Sequence, residues 1–312
     1  MLAKIPAEQL RRWATYASVG VAATLIVAKL GAFLITESVS LLSSLVDSSS
    51  DLLASLVALF GVRYAQRPPD KDHRFGHGKA EALAALAQAA FVSGSALFLA
   101  IEAVNRLITP VPIQESTLGI AVMLLSIVMT VALLHFQRHV VRVTGSLAVG
   151  ADRLHYAGDL LMNGAVIVSL ITVQATGLTI VDPLMGFAIA AFLVRGAMTI
   201  GAGAVDALMD HELPTVDRVQ IMKVVLSHDQ TRGVHDLRTR DGGTAKFIEM
   251  HLELDQTLPL AAAHDITDDI EARLQAAFPG ANVLIHPEPV SQNDDQNDRN
   301  SEANDEWRRE AP

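Results

Sequence analysis

Six apolar stretches constrain this chain more than anything else in it: residues 13–35, 39–64, 81–108, 117–137, 147–174 and 181–207. At 1.5 Å of rise per residue each is long enough to cross about 30 Å of hydrocarbon. Backbone N–H and C=O groups inside a bilayer must pair within their own element, so such runs fold as membrane-spanning helices. Of the 312 residues, 50% are hydrophobic, too many for an ordinary soluble protein of this length. Lys4, Arg11 and Arg12 precede the first span, and no short apolar core with a cleavage site follows them, so that span is expected to remain as an anchor.

The basic residues set the orientation. Arg63, Arg67, Lys71, Arg74 and Lys79 fall between spans two and three, and Arg138 and Arg142 between four and five. The opposite connections, 36–38, 109–116 and 176–178, carry no Lys or Arg. Basic residues stay on the cytoplasmic side, which places both termini in the cytoplasm.

Span two holds two carboxylates, Asp47 and Asp51, one turn apart on the same helix face as Ser40, Ser44 and Ser55. An ionised Asp at mid-depth costs at least about 2.5–3.5 kcal/mol on insertion scales, and two neighbours repel. Neighbouring helices satisfying a polar stripe would offset that cost, but a bound cation does so most simply. Span five repeats the spacing with His155 and Asp159. The spans alternate in direction, so the two pairs fall at similar depth. Three carboxylates and an imidazole suit a borderline divalent cation in tetrahedral geometry, zinc being the leading case. Two further charges lie within spans: Lys29, expected to snorkel outward, and Arg195, expected in an interhelical ion pair.

Beyond Leu208 the pattern changes. Val216–His228 reads as a short helix, Gly233–Arg240 and Ala245–Asp255 as a hairpin turning at Asp241-Gly242-Gly243, Leu260–Phe278 as an amphipathic helix and Ala281–His286 as a third strand. The expected architecture is therefore an α-helical membrane protein with a C-terminal cytoplasmic α+β, ferredoxin-like domain. Its parts are residues 1–208, 209–290 and an acidic, disordered tail at 291–312.

Two more clusters carry possible ligands. Asp70, His73 and His77 lie in the loop after span two, where a metal site and a solvated turn are equally good readings. The C-terminal module gathers His235, His251, His264, His286 and Glu288, either as a metal site or as surface histidines. Without cysteine there are no thiolate sites, disulfides or Cys nucleophiles. A net charge of −10 leaves no footprint for nucleic acid. His211-Glu212-Leu213-Pro214-Thr215 lacks the second histidine of a zinc protease, and Gly76-His77-Gly78-Lys79-Ala80 lacks phosphate-loop spacing, so no enzyme is expected.

LVDSSSD, DHRFGHGKAEALAALAQ, HYAGD and GVHDLRTR…FIEMHLEL…HPEP together resemble the cation diffusion facilitator family, closest to its bacterial zinc and ferrous-iron efflux branch, over residues 10–290. The resemblance implies a homodimeric, proton-coupled antiporter of the inner (plasma) membrane, exporting zinc, with iron(II), cadmium and cobalt as further cargo. By position Asp47, Asp51, His155 and Asp159 match its transport site, and Asp70, His73 and His77 its loop site. His235, His251, His264 and His286 match a cytoplasmic binuclear site bridging the dimer, where Glu288 replaces the usual Asp. Lys79 and Asp210 match charges that interlock the protomers. The rival expectation is a membrane-anchored metal sensor.

Overall fold

The computed structural model describes residues 5–37, 39–109, 117–178 and 180–290. The expected tail at 291–312 lies outside the described residues. Two compact units form: one from the chain up to Pro68 and Lys79–Val205, the other from Pro69–Gly78 and the chain from Asp206 onward.

The first unit is helical, with α1 (Ala7–Thr36), α2 (Val39–Ala65), α3 (Lys79–Ile108), α4 (Thr117–Thr144), α5 (Leu147–Thr176) and α6 (Val181–Leu208). All six are long and apolar enough to span a membrane. Lipid is as apolar as leucine, so such helices associate by close packing of small residues. Accordingly Ala85, Ala151 and Ala204 form one buried cluster, and Ala89, Val92, Ala96, Ala165, Ile189, Leu193 and Ala197 another. Two glycines act as notches between α5 and α6. A Cβ on Gly158 would come within 2.8 Å of Leu193, and one on Gly196 within 2.6 Å of Leu154. Ser146 caps α5 by accepting from the Val149 N–H at 3.2 Å, and Gly177, at φ 74°, ends it.

α4 runs past the expected Gln137 to Thr144, because its polar last turns are tied inward. Val140 packs against Leu10, Ala14 and Val149, and Gln137 is fully buried. Lys29 does not snorkel. It is buried, and its ammonium donates to the Ser44 carbonyl at 3.1 Å and to Ser48 Oγ at 2.6 Å, both acceptors on α2. The lysine finds acceptors inside the bundle, so it need not reach for water. Arg195 makes no ion pair among the described residues. Leu193 and Ala197 turn one face of α6 into the core, which leaves Arg195 exposed on the opposite face.

The second unit contains α7 (Thr215–Leu226), β1 (Gly233–Asp241), β2 (Lys246–Leu254), α8 (Leu260–Ala277) and β3 (Asn282–Pro289), an α+β module as the sequence implies. β1 and β2 are antiparallel, and β3 returns parallel to β2 through α8, giving the order β1-β2-β3. Ile248, Met250, Leu252 and Leu254 alternate inward along β2, against Ile221, Val225, Ile270 and Leu274 of the two helices. The opposite, uncovered face therefore carries Glu249, His251 and Glu253. β3 extends three residues beyond the expected His286, through Pro287 and Pro289. Proline is tolerated there because β3 is an edge strand, and the extension brings Glu288 into register with Glu253.

Candidate metal centres

In the helical unit Asp51, His155 and Asp159 each bring a ligand atom within 4.8 Å of the others. His155 Nε2 lies 3.0 Å from Asp51 Oδ1 and 3.9 Å from Asp159 Oδ2. That second oxygen is buried and has no hydrogen-bond partner, an orphan acceptor aimed into the cluster. Phe91 and Tyr156 hold the imidazole edge-on, each ring 5.7 Å away. Asp47, one turn along α2, is exposed and outside the group of three. Side-chain exposure rises from 9% at His155 and 14% at Asp51 to 35% at Asp159. The cluster thus faces the end of the bundle where α2 begins and α5 ends. Ser55 also faces inward, onto Asp152, whereas Ser44 meets Lys29 through its backbone carbonyl and Ser40's side chain lies outside the described residues.

The other side of the cluster is closed by a residue the sequence reading missed. Asp152, 1% exposed, sits one turn before His155. It accepts from Ser18 Oγ of α1 at 2.5 Å, Gln137 Nε2 of α4 at 2.7 Å and Ser55 Oγ of α2 at 3.1 Å. The Tyr156 hydroxyl lies 3.0 Å from Ser55 Oγ and 3.1 Å from the Ser18 carbonyl. Four helices therefore meet at one carboxylate. The signal was present, since Asp152, His155 and Asp159 share one helix face at spacings of three and four. Another missed carboxylate, Glu81, is buried where α3 begins. It takes Arg11 of α1 at 3.0 Å and the Ser146 hydroxyl at 2.5 Å.

The loop cluster belongs to the second unit. Asp70 Oδ1 accepts from the His73 backbone N–H at 2.7 Å and from Asp72 at 3.0 Å, and Asp70 Oδ2 lies 3.3 Å from His77 Nε2. The His73 backbone bond, ahead of the other contacts, holds the Asp70 carboxyl below the usual carboxylate range. The rings of His73 and His77 are 4.5 Å apart, and all three residues offer ligand atoms to one point. Gly78 fits here for want of a Cβ, which would overlap the Gly242 carbonyl of the β1–β2 turn.

On the uncovered face of the sheet His235, His251 and His286 are cross-strand partners. Their rings stand 5.2 Å and 4.9 Å apart in sequence. Glu288 is the hub, with Oε1 2.8 Å from His251 Nδ1 and 3.5 Å from His286 Nε2, and Oε2 3.3 Å from His235 Nε2. His235, His251 and Glu288 bring ligand atoms within 4.8 Å of one another. Glu253, missed in the sequence, takes the other nitrogen of His235 at 3.0 Å. His264 stands apart, exposed, 3.6 Å from Asp268. Asp210 lies 3.4 Å from Arg240 within the protomer.

Carboxylates and an imidazole converging midway along apolar helices define a membrane protein that handles cations. Comparison with known proteins identifies the family. A cation efflux transmembrane domain matches residues 15–209, and a cation efflux protein cytoplasmic domain matches residues 213–290. The chain belongs to the cation efflux, or cation diffusion facilitator, family. The cation-efflux pump FieF of Pectobacterium atrosepticum is 47% identical over 278 residues, covering 89% of this chain and 92% of that one. FieF of Klebsiella pneumoniae is 45% identical over 278 residues, again covering 89% and 92%. The metal-bound C-terminal domain of the CzcD transporter from Thermotoga maritima is 28% identical over 25% of this chain and 91% of that one, with a TM-score of 0.24. This chain is accordingly a cation-efflux transporter, an integral membrane protein and no enzyme. The rival reading as a membrane-anchored sensor finds no support in these matches.

Proposed function

We propose that the chain exports zinc-like divalent cations from the cytoplasm in exchange for protons, as a homodimer of the inner membrane with cytoplasmic termini. The observation that carries this reading is the convergence of Asp51, His155 and the orphaned Asp159 oxygen between α2 and α5. A set of oxygen and nitrogen ligands suits zinc, and admits iron(II), cadmium and cobalt. Asp47, one turn before Asp51 in α2, is the fourth ligand on this reading. Ligation requires neutral imidazole and ionised carboxylates, so a metal entering this site displaces protons and protons entering it displace metal.

On this reading Asp70, His73 and His77 hold a second ion at the loop. His235, His251, His286 and Glu288, with His264, hold zinc at the C-terminal module and bridge two copies of it. On the same reading residues 1–208 carry transport and residues 209–290 metal-linked dimerisation, with 291–312 as a tail.

Uptake of zinc and manganese by the purified protein in proteoliposomes, across about pH 5.5–8, tests the ligand assignment. His155→Asp makes the site all-oxygen, which suits manganese better, and removes the ligand type that titrates nearest neutrality. Zinc transport should fall relative to manganese and its pH profile should move. If ratio and profile both match the unsubstituted protein, His155 is neither ligand nor proton carrier.

A further inference from the structure

Away from the metal clusters, the first turns of α1, the last turns of α2 and the start of α3 enclose a groove of about 900 Å³. Its composition changes along its length. Val57, Phe60, Leu83 and Ala87 line one end, and Arg12, Arg63 and Arg67 line the other. The floor is shallow because α2 and α3 touch there through Gly61, where a Cβ would overlap that of Ala84. Gln66 Nε2 donates to the Glu8 carbonyl at 2.9 Å and ties α2 to the first turn of α1.

The charge is unbalanced. Glu8 is the one acidic side chain lining the groove. Among the described residues neither Arg12 nor Arg63 makes an ion pair, while Arg67 lies over the Tyr64 ring, 4.8 Å from its centroid. Three guanidinium groups in a chain of net charge −10 are thus left to neutralise something outside the protomer. They stand at the helix ends, the depth of lipid phosphates, and Trp13 and Tyr16 on the adjoining turns of α1 are exposed as interfacial aromatics are. Below them, Phe60 and Leu83 are 65% and 60% exposed, an apolar wall facing acyl chains.

We propose that this groove binds one anionic phospholipid, its phosphate on Arg12, Arg63 and Arg67 and an acyl chain along Val57, Phe60, Leu83 and Ala87. Guanidinium groups pair phosphate oxygens in bidentate geometry, and basic pockets between helices at a membrane surface select acidic head groups. The site is separate from the metal ligands, so it stands whether or not the transport mechanism proposed above does.

Each basic side chain near a membrane surface is worth roughly a five-fold preference for acidic lipid, so three Arg against Glu8 predict a preference of roughly 25-fold. The full-length protein is purified in mixed phosphatidylglycerol and phosphatidylcholine, and the lipids that stay bound are counted by native mass spectrometry. Phosphatidylglycerol should be retained preferentially, and glycerol phosphate, which has no acyl chain, should not displace it. Arg12→Gln, Arg63→Gln and Arg67→Gln together should bring the preference to near parity. Ala87→Phe, which fills the apolar end and leaves the charge alone, should lower retention of both lipids. Equal retention of the two lipids by the unsubstituted protein overturns the proposal, as would be seen if a second copy covers the groove. An unchanged preference in the triple variant, or displacement by glycerol phosphate, overturns it equally.

Discussion

Asp152→Ala tests how the bundle is closed below the metal cluster. The substitution removes the acceptor for Ser18, Ser55 and Gln137, which reach it from three other helices. Hydrogen bonds between membrane helices average about 0.6 kcal/mol each, because the unfolded chain in lipid also finds partners. Three of them predict a loss of about 2 kcal/mol, before any cavity cost. Asp152→Asn keeps one oxygen acceptor and turns its amide toward Ser55, whose hydroxyl can accept, so it should lose only about 0.6 kcal/mol. Reversible unfolding of the purified protein in mixed micelles of increasing dodecyl sulfate reads both. The reasoning fails if Asp152→Ala costs under half a kcal/mol, or if the Asn variant costs as much as the Ala variant. The same network bears on function, since α1, α2, α4 and α5 cannot part at this level while it is intact. Asp152→Ala should therefore also change the zinc transport rate while leaving metal affinity at the cluster largely unchanged.

Glu288→Gln should weaken zinc-dependent dimerisation of the protein by tenfold or more, read by analytical ultracentrifugation with and without zinc, because one carboxylate faces His235, His251 and His286. An unchanged zinc dependence would remove Glu288 from the site. Asp70→Asn should release the loop metal while the C-terminal zinc stays bound, read by metal counting after dialysis. Asp70's carboxyl is held below its ordinary range, so its charge is favoured by the fold above that range and is lost only as pH falls through the lowered value. Ligation requires deprotonated ligands, so loop metal should be lost as the solution is acidified. Loop metal that stays bound at every acid pH at which the protein remains folded would contradict this.

The spans, the module and the polar pairs on α2 and α5 were legible because each rests on a local period. Apolar length marks a membrane helix, alternation marks a half-buried strand, and spacing of four puts Asp51 beside Asp47 and His155 beside Asp159. What the sequence hid depends on the neighbours of each face. Lys29 was read as a surface-seeking side chain, but α2 offers it the Ser44 carbonyl and the Ser48 hydroxyl. Arg195 looked destined for an ion pair, yet α6 meets the core through Leu193 and Ala197 on the other face. Asp152 shares a helix face with His155 and Asp159, but its partners come from α1, α2 and α4, and no pattern within α5 announces them. Glu288 owes its place to β3 running on through two prolines, a course that only its edge position permits.

The central claim is that Asp51, His155 and Asp159 form the path of the ion. The most direct measurement is zinc flux into proteoliposomes containing only the purified protein, under a fixed proton gradient, for the unsubstituted chain, Asp51→Ala and Asp159→Ala. Each variant removes one member of the cluster between α2 and α5 and leaves the loop and C-terminal clusters intact. Both variants should fold and dimerise, and zinc flux in each should fall to the level of protein-free vesicles. Flux at the unsubstituted rate in either variant would mean that zinc crosses the membrane by another route, and the assignment of this cluster as the transport site would be wrong.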